Sequence, residues 1–293
     1  MVRSIRAMIS LTLMFLNTLA LGAPLCLAAL LRVLTPATLE PTWTRLSMRC
    51  AEQWITHNNL ILDAFQTLDV TLNIDADLQN DQWYLVICNH QSWTDILLLQ
   101  RALNRKIPML KFFIKQALIY VPILGTCWWA LDFPIMKRYS RQTLIRKPQL
   151  KGKDLETTRK SCERFKLTPV AVLNFLEGTR FTVEKQRQSN SPYQRLLKPK
   201  TAGAAMVVEA LEQHLTAILD VTIVYHQKTP NFFDFLSGHS HPISIKIEQI
   251  AVPRAQQKSE QTPHKSVGRA MQQVITDRWA LKDAYLQQSL EPN

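Results

Sequence analysis

A histidine and an aspartate separated by four residues, His90 and Asp95, follow directly on an unbroken apolar run, Trp83-Tyr84-Leu85-Val86-Ile87-Cys88. An aspartate in the first turn of a following helix can fold back onto an imidazole in the loop before it. That contact fixes the ring's tautomer and stabilises its cation, leaving the other nitrogen to take a proton. The pair would then be a general base that needs no covalent nucleophile. A plainer account stays open: Asp95 as a helix-start charge near the positive end of the dipole, and His90 as a satisfied loop histidine. A second polar group, Glu177-Gly178-Thr179-Arg180, ends another apolar run, Pro169 to Phe175. Two buried parallel strands with their carboxyl-end loops side by side would bring both groups to one crevice.

The elements that must position these residues are readable from periodicity. Trp83 to Cys88 reads as a strand buried on both faces, and Ile96 to Leu103 as a helix. Residues 68 to 74 alternate as a half-buried strand, and Ile107 to Ile114 reads as a strand with Pro108 near its beginning. Leu118 to Phe133 is apolar and Trp-rich, fit to line an apolar tunnel, to touch a bilayer or to be ordinary core. Pro134-Ile135-Met136 reads as a short strand. Lys137 to Lys166 is strongly basic, a polar loop running into a charged helix over Asp154 to Phe165. Gln186 to Pro192 reads as a mobile loop, Thr201 to His214 as a helix, Ala217 to Tyr225 as a strand, Pro242 to Ile250 as a late edge strand, and Lys265 to Gln288 as a closing amphipathic helix.

Residues 7 to 31 carry no charge and are flanked by Arg3, Arg6 and Arg32. At about 1.5 Å per residue such a helix can cross the roughly 30 Å hydrocarbon layer. A cleaved signal peptide fits less well, because the apolar run continues past the poor Leu21-Gly22-Ala23 site. Gly22-Ala23-Pro24 in mid-run would bend the segment, and basic residues at both ends favour a re-entrant hairpin over a straight span. Residues 42 to 65 mix Trp and Leu with Arg and Glu at helical spacing, which suits a helix on the membrane surface or packed on the globular part. The expected division is a membrane segment over 1–35, an amphipathic helix over 36–66, and one α/β domain over 67–293.

The formal net charge of +12 calls for an anionic partner: phospholipid headgroups, phosphorylated or nucleotide-bearing substrates, or nucleic acid. Five cysteines without C-x-x-C spacing argue against a disulfide framework and a zinc site, and so for a catalytic part in the reducing cytosol. Cys88 abuts the histidine motif but is better read as a small buried residue at a strand end than as a nucleophile. His239-Ser240-His241 lacks acidic or cysteine partners and reads as a surface loop, so no metal site is expected.

Asn89-His90-Gln91-Ser92-Trp93-Thr94-Asp95 resembles the N-H-x-x-x-x-D block of the lysophosphatidic acid acyltransferase superfamily, the PlsC-like glycerolipid acyltransferases. Lys115-Gln116-Ala117-Leu118, Pro122 and Gly125, running on to Ile135-Met136-Lys137-Arg138, are similar to its second block, and Phe175-Leu176-Glu177-Gly178-Thr179-Arg180 to its F-P-E-G-T-R block. The three blocks stand in the family's order over roughly residues 80 to 225, and the Asp154 to Phe165 segment is most similar to the YihG-like branch of bacterial inner-membrane acyltransferases. The resemblance implies a mixed, largely parallel sheet flanked by helices, with an N-terminal membrane helix or helical hairpin. It also implies transfer of an acyl group from acyl-CoA or acyl-carrier-protein to the free hydroxyl of a lysophospholipid. His90 would be the base and Asp95 its support. Arg138 and Arg180 would hold the acceptor phosphate with Lys115 nearby in role, and Glu177, Gly178 and Thr179 would complete the substrate site. Glu177 is expected to bond an acceptor hydroxyl or brace an arginine. No cofactor is implied, and the expected setting is the bacterial inner membrane with anionic lipid, the catalytic domain facing the cytoplasm. Leu176 and Phe181 depart from the family's usual proline and small polar residue, leaving the acceptor headgroup open.

Two rivals come from other classes. A serine hydrolase using Ser92 would have to form a triad within six residues and lacks a G-x-S-x-G elbow. A non-catalytic, basic, membrane-tethered interaction protein fits the charge, but no RNP-like motif supports a nucleic-acid partner.

Overall fold

The computed structural model describes residues 2–65, 68–137, 141–150, 152–211, 213–238, 241–254 and 267–290. Its centre is a six-stranded sheet. The strands are β1 (Val70–Asp75), β2 (Trp83–Cys88), β3 (Leu110–Phe112), β6 (Ala171–Phe175), β7 (Leu215–Tyr225) and β8 (Ile243–Ile250), in the spatial order β1-β8-β7-β2-β6-β3. A separate pair, β4 (Ile114–Lys115) and β5 (Ile135–Met136), is parallel. The run read as one strand over Ile107 to Ile114 is thus divided: Phe113 separates a strand of the main sheet from one of the small sheet.

β2 lies between β6 and β7 and runs parallel to both, which is why its residues from Tyr84 to Cys88 are all buried. Its alternation supplies two cores. Tyr84, Val86 and Cys88 face one hydrophobic layer, Leu85 and Ile87 the other. The first layer is closed by α3 (Thr94–Leu103), α2 (Glu40–Phe65) and α9 (Phe232–Leu236). The second is closed by α6 (Lys153–Phe165), α8 (Thr201–Leu211) and α10 (Val267–Leu290), whose Trp279 is fully buried. Two short helices, α5 (Arg141–Arg146) and α7 (Val183–Gln188), occupy stretches read as polar loops. Thr182 starts α7 by accepting the Lys185 N–H at 3.2 Å, a cap that outweighs the polar composition there.

β8 is not an edge. It sits between β1, to which it is parallel, and β7, to which it is antiparallel. Its outward residues are polar because Lys246 lies over the Tyr285 ring and Glu248 pairs with Arg278, both of α10, rather than meeting water alone.

α1 (Val2–Leu34) runs without interruption through Gly22-Ala23-Pro24, so no hairpin forms there. The chain reverses at 35–39, where a residue ahead of Pro36 is disfavoured in helical conformation. Thr35 marks the corner: its hydroxyl donates to the Leu31 carbonyl at 2.7 Å and accepts the Trp43 indole N–H at 2.8 Å. α2 returns along α1, joined by Asn17 to the Trp54 carbonyl (3.0 Å) and to Asn58 (2.9 Å). Among the described residues, Arg3–Leu34 is the one helix long and apolar enough to cross a membrane. Against the other side of this hairpin packs α4 (Leu124–Ala130), forming a third apolar cluster with Leu25, Ala29, Cys50 and Ala51.

Candidate active site

The loops after β2 and β6 are stitched together. The His90 N–H donates to Glu177 Oε1 at 2.8 Å, and the Phe181 N–H donates to the His90 carbonyl at 2.7 Å. The His90 ring stacks on Phe175 with centroids 4.1 Å apart, and the Arg180 guanidinium lies 4.9 Å from the centre of the Trp93 ring. Sequence positions nearly ninety residues apart therefore form one crevice at the carboxyl edge of the sheet.

His90 Nδ1 is 2.8 Å from Asp95 Oδ2, which also accepts the Gln91 and Ser92 N–H groups at 2.7 and 2.9 Å. The Tyr225 hydroxyl donates to the other oxygen, and Asp95 is fully buried. An ionised carboxylate only accepts, so Nδ1 must carry the proton and Nε2 must present its lone pair. Among the described residues nothing bonds to Nε2. Asn89 holds the loop's origin: its amide exchanges two hydrogen bonds of 2.9 Å with the Ile223 backbone of β7.

Glu177 is buried against backbone donors. It is 1 % exposed, and its second oxygen accepts the Leu197 N–H at 2.9 Å. Burial pushes its carboxyl up to about 7, against the lowering influence of the two backbone N–H bonds. A chain of contacts continues outward, since the Trp279 indole donates to the Leu197 carbonyl at 2.9 Å and Asp283 accepts the Gln194 and Arg195 N–H groups at 3.0 and 2.7 Å. α10 thus clamps the segment that fixes Glu177, which in turn fixes His90.

Gly178 has φ +67°, a left-handed conformation that glycine adopts freely, and a Cβ there would come within 2.9 Å of the Lys200 side chain. The glycine therefore answers a turn and a neighbouring lysine. Thr179 and Arg180 are exposed, and Lys185 Nζ donates to the Thr179 hydroxyl (3.0 Å) and the Arg180 carbonyl (2.8 Å). Lys115 is exposed at the end of β4, in the small sheet rather than the one that carries His90. Arg138 lies outside the described residues, as do His239 and Ser240. Cys88 is fully buried, and burial drives its thiol well above the ordinary range, which removes it as a nucleophile.

Sequence reasoning missed Tyr225, Phe175, Asn89, Trp279 and Lys185. The positions of Asn89 and Phe175 inside the quoted motifs hinted at their parts, and Lys185 reaches residues five and six positions back. Tyr225 and Trp279 act through contacts between segments far apart in the chain.

Beside the crevice opens a cavity of about 530 Å³ with an almost wholly apolar lining. Trp93 and Ile96, which follow His90 in the chain, line it. Leu118, Leu124, Trp128 and Leu131 form one wall, and Leu21, Leu25, Ala51 and Trp54 of the α1–α2 hairpin another. The Trp-rich stretch is thus partly cavity wall, while Trp129 is 48 % exposed.

Fold and crevice together define an α/β protein with a histidine–aspartate site at the carboxyl edge of a mostly parallel sheet, next to an apolar cavity. The family model described as Acyltransferase matches residues 69–226, more than half of the chain, and the chain belongs to that family. Among curated relatives it is 28% identical over 249 residues to 1-acyl-sn-glycerol-3-phosphate acyltransferase 3 of Arabidopsis thaliana, covering 78% of this chain and 60% of that one. It is 23% identical over 269 residues to 1-acyl-sn-glycerol-3-phosphate acyltransferase gamma of Homo sapiens, covering 85% and 66%. The chain therefore spans less than two thirds of the length of these relatives. The crystal structure of the 1-acyl-sn-glycerophosphate acyltransferase PlsC from Thermotoga maritima shares the fold, with a TM-score of 0.51 at 16% identity, covering 94% of this chain and 98% of that one.

Proposed function

We propose that this protein moves a fatty acyl group from an acyl thioester to the free hydroxyl of a lysophospholipid, with 1-acylglycerol-3-phosphate as acceptor. The observation that carries the reading is an imidazole whose Nδ1 is committed to a buried carboxylate while Nε2 is left open, beside an apolar cavity. An alcohol is a poor nucleophile at neutral pH. His90 Nε2 takes its proton as the oxygen attacks the thioester carbonyl, and the tetrahedral intermediate collapses to expel the thiolate. The imidazolium returns the proton to that thiolate, so the base is regenerated and no acyl-enzyme forms. Asp95 holds the ring and stabilises its cation.

Arg180 gives the acceptor phosphate two parallel N–H donors, and Arg138 and Lys115 add charge. Thr179 and the Gly178 turn shape the same pocket, with Glu177 positioning the loops rather than touching substrate. The acyl chain lies in the apolar cavity, where burial contributes about 0.8 kcal/mol per methylene. This chemistry uses no metal or prosthetic group. Acyl-CoA and acyl-carrier-protein both fit as donor.

We place the protein at the bacterial inner membrane, held by α1, with the crevice on the cytoplasmic side. The basic stretch through α5 and α6 faces anionic lipid, at about 1 kcal/mol per basic residue near the surface. High salt weakens that part of the attachment. The resemblance of the α6 segment to the YihG-like branch supports that subgroup.

The test is acyl transfer by purified membranes, followed by mass spectrometry with several lysophospholipids and both donor types. His90→Ala lowers turnover by about 10² to 10⁴. Equal product from variant and parent refutes the base assignment. No product with any acceptor points instead to a non-catalytic interaction protein.

A further inference from the structure

Among the described residues two lysines are buried away from the crevice, and one of them has an ion-pair partner. Lys282 of α10 is 3 % exposed, with Asp220 at 2.6 Å. Lys111 of β3 is 7 % exposed, and among the described residues no hydrogen bond or ion pair reaches its ammonium. Its Nζ lies 5.1 Å from the centre of the Phe165 ring. An ammonium taken out of water without an anion is costly, and here burial lowers Lys111 to about 8, with Arg32 and Arg164 adding to the lowering and Asp132 opposing it.

Lys111 and Phe165 both line a cavity of about 340 Å³ between α2, the end of α4 and the end of α6. Arg45, Arg49 and Arg164 line it as well, against two carboxylates, Asp132 and Glu52. Asp132 is already matched by Arg32 at 3.1 Å and Arg164 at 2.9 Å, so it leaves no charge over for Lys111. Thr44, Ser47 and Thr168 add hydroxyls to a lining whose remaining surface, from Met48, Leu131 and Phe165 among others, is apolar. Thr168 and Pro169 precede β6, whereas Glu177 follows it. At about 3.3 Å per residue a five-residue strand alone separates this cavity from the crevice by roughly 16 Å.

We propose that this cavity is a second, phosphate-class anion site, for a lipid headgroup phosphate or free phosphate, with Lys111, Arg45 and Arg49 as its ligands. The anion supplies the counter-charge that the fold withholds from Lys111, and it ties α2 to the edge of the sheet. The site does not depend on the acyl-transfer reading, because binding alone reports it.

The experiment is thermal unfolding of the full chain in neutral detergent, with inorganic phosphate compared with chloride at equal ionic strength, and with dioctanoyl phosphatidylglycerol compared with dioctanoyl phosphatidylcholine. A ligand that binds only the native state raises the midpoint with concentration. Stabilisation by inorganic phosphate identifies the free anion as sufficient; stabilisation by phosphatidylglycerol alone identifies the headgroup as the source. In either case Lys111→Met weakens the apparent affinity at least about tenfold, since one charged hydrogen bond is lost. The exposed pair Arg45→Gln with Arg49→Gln weakens it similarly, and serves if Lys111→Met does not fold. Arg187→Gln, exposed on α7 and outside both sites, leaves it unchanged. No stabilisation by either ligand overturns the proposal, as does a stabilisation that survives the Lys111 and Arg45/Arg49 variants.

Discussion

Two clusters of carboxylates, one at the crevice and one around Asp220 between α10 and β7, are held by different means. At the crevice, Asp95 and Glu177 accept from backbone N–H groups of Gln91, Ser92, His90 and Leu197, together with the Tyr225 hydroxyl and the His90 ring. Under α10, Asp220 faces Arg278 at 2.8 Å and Lys282 at 2.6 Å, and Glu248 takes the other side of Arg278 at 2.7 Å. Neutral donors fix a carboxylate in place without cancelling its charge, whereas cationic partners cancel it and are committed in doing so. The crevice accordingly keeps Arg180 exposed over Trp93, while Arg278 and Lys282 serve to fasten α10 to the sheet. Charge remains available at the crevice, where chemistry is proposed, and is neutralised internally around Asp220.

The comparison breaks most easily at Asp95. Asp95→Asn presents an amide where the ring now finds an acceptor, so the imidazole loses its enforced tautomer. Turnover falls by about 10² to 10⁴, with little change in the acceptor KM. Steady-state acyl transfer measures this, and a turnover within tenfold of the parent would mean that the carboxylate does not set the proton's place. Lys282→Met removes a buried partner from the other region and leaves Asp220 with Arg278 alone. Stability drops by about 3–5 kcal/mol in denaturant unfolding, while turnover per folded molecule stays within a few-fold of the parent. Loss of turnover beyond loss of folded protein would show that the two regions are not separable.

Which of these relations the chain announces depends on how far apart the partners lie. The β2 and β6 runs are continuous apolar segments ending in polar turns, and parallel neighbours follow from that pattern; the His90–Asp95 pair is local enough for spacing to suggest it. Tyr225, 130 positions beyond Asp95, carries no local mark of its role, because it is simply the last residue of a hydrophobic strand. Glu177 was legible as a charge in a cationic neighbourhood, expected to bond an acceptor hydroxyl or brace an arginine, but not as a brace between loops, since its partners are backbone groups that every residue has. β8 alternates like an edge strand because its polar face meets the charged side of α10, and alternation cannot distinguish salt-bridged polar residues from solvated ones. The reversal of α1 into α2 depends on Pro36 and the Thr35 corner. Pro24, the more conspicuous proline inside the apolar run, is accommodated within the helix.

Glu177 sharpens the comparison through pH. Its carboxyl is raised from 4.5 to about 7, so folding favours the protonated form. The contribution is fully present below about 4.5 and is lost as pH rises through about 7. The loss amounts to at most about 3 kcal/mol, at 1.36 kcal/mol per unit. Thermal midpoints from pH 4 to 8 should therefore decline more steeply in the parent than in Glu177→Gln, which cannot ionise. Identical slopes would assign the parent's decline to other groups and remove the strain from this carboxylate.

Arg180→Lys has the smallest expected effect and separates charge from geometry. Lysine keeps the positive charge over the crevice but offers a point charge in place of two parallel donors, and its ammonium stacks less well on Trp93. If Arg180 holds the acceptor phosphate in both ground state and transition state, its loss is one of uniform binding. The acceptor KM then rises about tenfold, roughly 1.4 kcal/mol, with turnover at saturation nearly unchanged. A fall in turnover without a change in KM would instead place the guanidinium against the reacting carbonyl, giving the crevice an oxyanion donor rather than a phosphate clamp. An unchanged KM and turnover would leave the cation–aromatic contact as no more than a lid on the loop, and the charge kept available at the crevice would then belong to Lys185 or Lys200.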